Sequence, residues 1–177
     1  MNAALWSVLR LWVRYRRGRL PPVSMPDPMW YFAYGGNMSE RVFVQRRGIR
    51  PAETRTGRLD GYRLVFTVAG GMRPGVSAPA NIIEAPGQTV HGVLYRLPLR
   101  QFVRLDASEG LQYDYLWTEV EDAGSKRLAI VVTYKVAQAA PEGRPGRSYL
   151  NTIREAARQR GLPDDYIAVL DRIEARE

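Results

Sequence analysis

Two glycines between a predicted strand and a predicted helix form the first group whose residue types and spacing can do chemistry. The segment Tyr34-Gly35-Gly36-Asn37-Met38 directly follows an aromatic run that begins at Trp30. Glycines at such a junction permit unusual backbone angles and allow main-chain N–H groups to face an anion or a carbonyl oxygen. Because a Gly-Gly pair is more often a tight connection alone, the segment by itself is weak evidence for a site.

A carboxylate beside a glycine is the second candidate. Glu109 and Gly110 end the segment Leu105-Asp-Ala-Ser-Glu109-Gly110, which follows a predicted short helix over Leu99 to Ala107. A positioned carboxylate can act as a general acid or base. The same position is also typical of a surface residue near a helix C-terminus, so the segment supplies a candidate base and not yet a site.

The single histidine, His91, lies in the apolar run from Val90 to Leu97. We predict that this run pairs with Asn81 to Glu84 in a hairpin whose turn is Pro86-Gly87. A lone strand histidine is more often structural than catalytic, and no serine lies in a nucleophile-elbow context. We therefore leave His91 out of the predicted site.

The composition excludes several classes of site. The chain has 177 residues, of which 45% are hydrophobic and 25% charged, as expected for one soluble globular domain. It has no cysteine and one histidine, which rules out disulfides, thiolate zinc sites, iron–sulfur clusters, cysteine nucleophiles and histidine pairs. We therefore predict no metal site.

The net charge of +8 would ordinarily suggest a nucleic-acid partner. About half of this excess lies in residues 1–29, and nearly all basic residues are arginine, which is typical of compositional bias. We therefore predict no specific nucleic-acid binding.

Residues 1–20 have the pattern of an amphipathic helix, with apolar residues on one side and arginines on the other. Arginines interrupt the apolar run too early for a membrane span, although weak association with a membrane surface is compatible with the pattern. Four prolines between positions 20 and 28 then form a linker. We expect residues 1–28 to be a poorly ordered extension, residues 29–177 to form the domain, and the protein to be cytoplasmic.

The elements that must position the candidate residues are short strands with helices between and after them. The predicted strands are Trp30 to Tyr34, Arg63 to Val68, Asn81 to Glu84, Val90 to Leu97, Tyr115 to Val120 and Leu128 to Val136. The predicted helices are one capped by Ser39 and running to Arg47 before Gly48, Leu99 to Ala107, Tyr149 to Arg160, and one with Pro163 in its first turn. This order predicts a mixed α+β domain with a curved or closed sheet.

The order of four segments is more specific than any one of them. The first three are Tyr34-Gly-Gly-Asn-Met38, Val90-His-Gly-Val-Leu-Tyr95 and Leu105 to Gly110 with a tyrosine soon after. The last is Ser148-Tyr-Leu-Asn-Thr-Ile153 followed by Gly161 to Tyr166. Over residues 30–174, this order resembles the gamma-glutamylcyclotransferase-like family.

The resemblance implies a small barrel-like α+β fold with a cavity and C-terminal helices. It also implies a cofactor-free enzyme on a small-molecule substrate, in which the α-amine of a γ-glutamyl group attacks its own γ-carbonyl and releases 5-oxoproline. By similarity, Glu109 is the acid/base residue. The loop that cradles the glutamyl group is Tyr34, Gly35, Gly36, Asn37 and Met38.

Two features differ from the family pattern. Gly36 stands where the family usually has serine, so a hydroxyl contact is missing while the backbone donors remain. After Glu109, both Tyr113 and Tyr115 match the family's substrate-binding tyrosine. We choose Tyr115, because the sequence that follows it continues as the family's strand does.

The sequence leaves the leaving group open. γ-Glutamyl amino acids, γ-glutamyl amines, glutathione and a γ-glutamyl-protected metabolite all fit the resemblance, and a protein that binds such a molecule without cleaving it is a further alternative. Membrane or nucleic-acid binding through the basic N-terminal segment is a third. A monomer and a homodimer are equally compatible with the sequence.

Overall fold

Five strands close into a barrel in this computed structural model, which describes residues 26–67, 77–110, 112–136 and 141–176. The strands are β1 (Met29–Ala33), β2 (Glu53–Phe66), β3 (Ala80–Leu97), β4 (Tyr113–Asp122) and β5 (Leu128–Val136). Their spatial order is β1-β3-β2-β4-β5, and β5 closes onto β1 in parallel at Tyr31 and Val132. The other pairs are antiparallel. The predicted α+β fold with a closed sheet is confirmed.

The helices lie between β1 and β2, between β3 and β4, and after β5. They are a 3-10 helix (Gly36–Met38), a π-helix (Arg41–Arg46), α1 (Leu99–Ser108), α2 (Arg147–Gln159) and α3 (Asp164–Asp171). The helix predicted to start at Ser39 and run to Arg47 is present as a π-helix whose start has no side-chain cap, although the carbonyl of Ser39 accepts from the N–H of Phe43 at 2.8 Å. Ser39 closes the 3-10 helix in an extended conformation, and the π-helix begins after Glu40. Gly48, with φ of 65°, ends the helical segment as predicted.

The predicted hairpin around Pro86-Gly87 is also wrong. β3 continues through both glycine and proline, and its two halves pair with the same long strand, β2. The register changes where Gly61 of β2, at φ of 80°, lies opposite this segment, so Pro86 and Gly87 form a bulge instead of a turn. The charged first half of β2 lacks the alternating apolar pattern of a strand, so the sequence did not reveal the partner that both halves share.

A layer of stacked aromatic rings attaches the helices to the barrel. Phe43 of the π-helix stacks on Tyr95 of β3, with ring centroids 4.1 Å apart. Phe102 of α1 stacks in the same way on Tyr134 of β5, at 6.5 Å. These buried contacts hold the π-helix against β3 and α1 against β5, the two strands that flank β1. Arg47 follows the π-helix and Glu109 follows α1.

The predicted N-terminal extension lies largely outside the described residues, and so does the amphipathic pattern of residues 1–20. Of the extension, only residues 26–28 are described. Oδ1 of Asp27 accepts a hydrogen bond of 2.9 Å from the N–H of Leu99, the first residue of α1. The end of the predicted linker is therefore bonded to the domain. No helix within the described ranges is long and apolar enough to cross a membrane.

Candidate active site

The glycine loop, the residue after α1 and the start of α2 surround a cavity of about 760 Å³. The chain segments that form its wall come from both halves of the sequence. The lining residues are Tyr31, Tyr34, Gly35, Gly36, Asn37, Arg41, Val42, Arg46, Arg47, Ser77, Ala80, Glu109, Tyr113, Tyr134, Gly146, Arg147, Ser148, Tyr149, Thr152 and Arg176. The two sequence motifs that seemed weak alone, at Tyr34 to Asn37 and at Glu109, thus share one cavity.

Glu109 is held by one of its two carboxylate oxygens. Its side chain is 12% exposed, and Oε1 accepts a 3.0 Å hydrogen bond from Nδ2 of Asn37. Nη1 of Arg47 lies 3.1 Å from the same oxygen. Oε2 has no hydrogen bond or ion pair to any residue within the described part of the chain. The carboxylate is therefore oriented through Oε1, and Oε2 is available to a ligand.

Asn37 connects the glycine loop to the carboxylate. Its buried side-chain amide donates both to Glu109 and, at 2.9 Å, to the hydroxyl of Tyr31. The hydroxyl of Tyr95 donates to the carbonyl of Asn37 at 3.1 Å and lies 3.2 Å from that of Met38. Met38 is fully buried and does not line the cavity, so its side chain anchors the loop to the hydrophobic core.

The two loop glycines are required by close approach and not by unusual backbone angles. Gly35 has φ of −120°, and Gly36 is likewise outside the positive-φ region. A Cβ atom on Gly35 would lie 3.0 Å from Cβ of Ala80 and 3.2 Å from the hydroxyl oxygen of Tyr149. A Cβ on Gly36 would lie 3.0 Å from Cε2 of Tyr149. The ring of Tyr149 thus occupies the space next to Gly36 that a serine side chain would need.

Tyrosine hydroxyls bond to main-chain carbonyls around the cavity. Tyr34 donates to the carbonyl of Tyr134, and Tyr113 donates to that of Ala80 at 3.0 Å. Burial raises the pKa of both Tyr34 and Tyr113 well above its usual value, with smaller contributions from neighbouring tyrosines. Both side chains are therefore neutral near pH 7, and they shape the wall without adding charge.

Of the two tyrosines that match the family's substrate-binding residue, Tyr113 lies in the cavity wall and Tyr115 does not. Tyr115 is buried against Phe102 and Tyr134, with ring centroids 5.7 and 5.8 Å away. Adjacent residues of a strand point to opposite faces of the sheet. Tyr113 and Tyr115 are two positions apart, so they point to the same face at different places along the strand. The structure therefore brings Tyr113 to the predicted loop in place of our choice, Tyr115.

His91 lies away from the cavity lining, with its ring 5.0 Å from that of Tyr166. Partial burial lowers the pKa of His91, and Arg58 lowers it further against the opposing effect of Asp165. The imidazole is neutral near pH 7. Its position agrees with leaving it out of the predicted site.

Sequence reasoning missed Arg47, which directly contacts Glu109. The side chain is 25% exposed, and besides Glu109 it donates to the hydroxyl of Ser108. The only signal in the sequence is an Arg-Arg pair before Gly48, which is ordinary for a helix C-terminus. Its function depends on how the π-helix and α1 meet, and no local pattern reveals that.

The cavity is strongly basic. Five arginines are among the lining residues, and Glu109 is the one carboxylate that the described lining contains. The arginines are Arg41, Arg46, Arg47, Arg147 and Arg176. A cavity lined with this charge favours an anionic ligand. Across the described ranges, no three acidic or histidine side chains group in a way that could hold a metal ion.

Comparison with known proteins points to one family. The AIG2-like family matches residues 89–170. The gamma-glutamyl cyclotransferase aclK of Aspergillus oryzae is 27% identical over 162 residues, covering 79% of this chain and 59% of that protein. The gamma-glutamylcyclotransferase of Homo sapiens is 28% identical over 161 residues, covering 88% of this chain and 85% of that protein.

A solved structure of a gamma-glutamyl cyclotransferase has the same fold. It matches with a TM-score of 0.74 at 23% identity, covering 85% of this chain and 90% of that chain. The barrel and the C-terminal helices expected from the sequence are therefore those of this fold. In sequence and in fold, the chain is therefore similar to gamma-glutamylcyclotransferases.

Proposed function

We propose that the protein is an enzyme that cleaves γ-glutamyl amides by cyclisation, releasing 5-oxoproline and a free amine or amino acid. The observation that carries the proposal is the hydrogen bond between Asn37 and Glu109, which joins the glycine loop to a carboxylate in one cavity. The names of the related proteins support the same reaction. Because the chain spans only 59% of the first of these relatives, the activity is an inference for this chain.

In this proposal, the glutamyl group of the substrate lies against Gly35, Gly36 and Asn37. A side chain at either glycine would crowd Ala80 or Tyr149, so the glycines allow the loop to pack closely against this part of the cavity wall. Main-chain N–H groups of the loop are suitable donors for the γ-carbonyl oxygen as it gains negative charge. Tyr113 forms part of the adjoining wall. We assign it the substrate-contacting role for which the sequence alone favoured Tyr115.

Glu109 is assigned the proton transfers. The α-amine of the substrate is protonated near neutral pH and must lose a proton before its nitrogen can attack the γ-carbonyl carbon. Oε2 of Glu109 accepts that proton, since Oε1 is already bonded to Asn37 and Arg47. Attack forms the C–N bond of the five-membered ring, and collapse of the tetrahedral intermediate breaks the bond to the leaving nitrogen.

The proton balance requires a group that acts twice. The attacking nitrogen begins with three protons and ends with one in the lactam, and the leaving nitrogen begins with one and ends with three as an ammonium. Two protons therefore pass from one nitrogen to the other, and none is consumed. Glu109 carries them one at a time, as base and then as acid. Because the ring closure is intramolecular, the remaining task of the cavity is to fold the substrate into the attack geometry.

The test is incubation of the purified protein with γ-glutamyl dipeptides, γ-glutamyl amines and glutathione, with 5-oxoproline measured by mass spectrometry. We expect 5-oxoproline from at least one substrate class, in equal amount to the released amine. Release of free glutamate instead would indicate hydrolysis and contradict cyclisation. Tight binding of a γ-glutamyl compound without any product would favour the alternative of a binding protein.

A further inference from the structure

The π-helix places two arginines on the cavity side by side. Its π-helical hydrogen bonds run from an N–H to the carbonyl five residues earlier, as in the 3.0 Å bond from Arg47 to Val42. Residues five apart therefore lie on the same face, and both Arg41 and Arg46 line the cavity. In an α-helix the same two residues would be about 140° apart around the axis, and only one would face the cavity.

Arg41 and Arg46 carry uncompensated charge. Both are exposed, and within the described part of the chain no carboxylate lies within 4 Å of either guanidinium, whereas Glu109 already contacts Arg47. Arginines elsewhere on the described surface are often ion-paired, as Arg63 is with Glu142 and Arg158 with Asp171. The unpaired charge of these two arginines at the cavity is therefore not explained by the arginine-rich composition of the chain alone.

The negative charge that a γ-glutamyl substrate could offer to Arg41 and Arg46 depends on its leaving group. The α-amine and α-carboxylate of the glutamyl group cancel, so its charge comes from the leaving group. A leaving amine adds no negative charge, a neutral amino acid adds one, and aspartate or glutamate adds two. Arginine pairs well with carboxylates because its planar fork of N–H donors matches their geometry.

We infer that the preferred substrate is a γ-glutamyl acidic amino acid, whose leaving group carries two carboxylates that bind Arg41 and Arg46. The inference rests on the proposed function for the identity of the reaction, and it narrows the leaving group that the sequence left open. The positive cavity mouth also attracts a doubly anionic substrate from solution, an effect that salt screens.

The test compares γ-glutamyl-aspartate with γ-glutamyl-asparagine, which have nearly the same shape and differ by one charge. For the unmodified protein at low ionic strength, we expect kcat/KM to be at least about fivefold higher for the aspartate compound, and the ratio to fall as salt is added. In the double variant Arg41→Gln/Arg46→Gln, the ratio should fall below about twofold. The matched control, Arg127→Gln/Arg172→Gln, removes two charges from exposed positions outside the lining and should retain the full ratio.

Three results overturn the inference: a ratio of one or less in the unmodified protein, a ratio that survives in Arg41→Gln/Arg46→Gln, or an equal loss in the control variant. Melting curves verify that each variant is folded. If neither dipeptide yields 5-oxoproline, the proposed function fails. Calorimetric Kd values for the two dipeptides then decide the inference separately, by the same ratio and the same variants.

Discussion

Arg47 and Glu109 form an ion pair across the cavity wall, with Nη1 3.1 Å from Oε1. The two residues lie at the ends of different helical segments, the π-helix and α1, so the pair depends on the packing of both against the barrel. Asn37 donates to the same Oε1. The carboxylate therefore keeps one orientation before any substrate enters.

The first prediction concerns the proton transfers by Glu109. Glu109→Gln keeps an oxygen that can accept from Asn37 and Arg47, but the amide cannot take up the proton of the substrate amine. We expect turnover to fall at least about a hundredfold while substrate binding and melting temperature change little. Steady-state kinetics and calorimetry on the best substrate measure both effects.

A matched control for this substitution is Glu119→Gln, which changes an exposed glutamate of β4. It should leave kcat and KM unaltered. If Glu109→Gln lowers turnover only a few-fold, another group carries the protons and the assignment of Glu109 is wrong.

The second prediction treats Arg47 as a positioning residue. Arg47→Gln removes the ion pair and leaves Asn37 as the one side chain that holds Oε1, so we expect kcat to fall about tenfold with a smaller change in KM. Arg47→Lys keeps the charge and should recover part of the loss. Arg50→Gln, an exposed neighbour outside the cavity lining, should not change kcat. A tenfold rise in KM with kcat unchanged would indicate that Arg47 contacts the substrate and does not orient Glu109.

The sequence predicted the fold better than the detailed local geometry. Strand β5 has the predicted bounds, and α1 and α2 agree within two residues, because their apolar periodicity reflects burial on one face. The continuous strand β3 was read as a hairpin, since Pro86-Gly87 has the composition of a turn whether or not a third strand is present. Local composition does not show that β2 is long enough to pair with both halves.

The same distinction holds for the site. Asn37 and Glu109 were identified because the order of short motifs along the chain is specific even where each motif is weak. Arg41, Arg46 and Arg47 were not, because their position on the cavity depends on π-helical hydrogen bonding, which has no composition signal of its own. Tyr149 was missed because its function is to fill space beside Gly36, a relation between residues 113 positions apart in the chain.

The third prediction separates the two tyrosines that follow Glu109. Tyr113→Phe removes a hydroxyl from the cavity wall that is bonded to the carbonyl of Ala80, so we expect kcat/KM to fall about fivefold or more. Tyr115→Phe changes a buried ring outside the lining and should affect thermal stability more than kcat/KM. The reverse pattern would restore Tyr115 as the substrate-binding residue.

The fourth prediction concerns closure of the barrel between β2 and β4, which pair at only two positions. Asp122 strengthens this seam, since its Oδ2 accepts from Arg55 at 2.6 Å and its Oδ1 accepts from the N–H groups of Gly124 and Ser125. Burial would raise the pKa of Asp122, but these hydrogen bonds together outweigh it and leave the pKa below its usual range.

A lowered folded-state pKa means that Asp122 stabilises the fold above the ordinary carboxyl pKa of about 4 and that this contribution is lost as the pH falls below it. Asp122→Asn should therefore lower the free energy of unfolding by about 1 to 3 kcal/mol at pH 7, with a smaller difference at pH 3. Urea denaturation at the two pH values measures this. Asp60→Asn, at an exposed ion pair, should cost much less. A difference that grows on acidification would contradict this account of Asp122.

The last prediction concerns Gly36, where the chain departs from the pattern of the family that it resembles. The family resemblance alone predicts that Gly36→Ser is tolerated, but the new Cβ would lie 3.0 Å from the ring of Tyr149, so the ring must move by a few tenths of an ångström. We expect the substitution to cost about 1 to 3 kcal/mol of stability, the usual range for overpacking, and to lower kcat/KM because both residues line the cavity.

A double-mutant cycle tests whether Tyr149 is the cause. In a Tyr149→Ala background the space is vacated, so Gly36→Ser should then cost less than about 0.5 kcal/mol, and the two substitutions should be strongly non-additive. Urea denaturation of the four proteins gives the coupling free energy, and kinetics on the same substrate show whether the serine hydroxyl improves binding once it fits. Additive costs would mean that the Tyr149 ring does not replace the serine side chain, and that position 36 is constrained by the loop backbone itself.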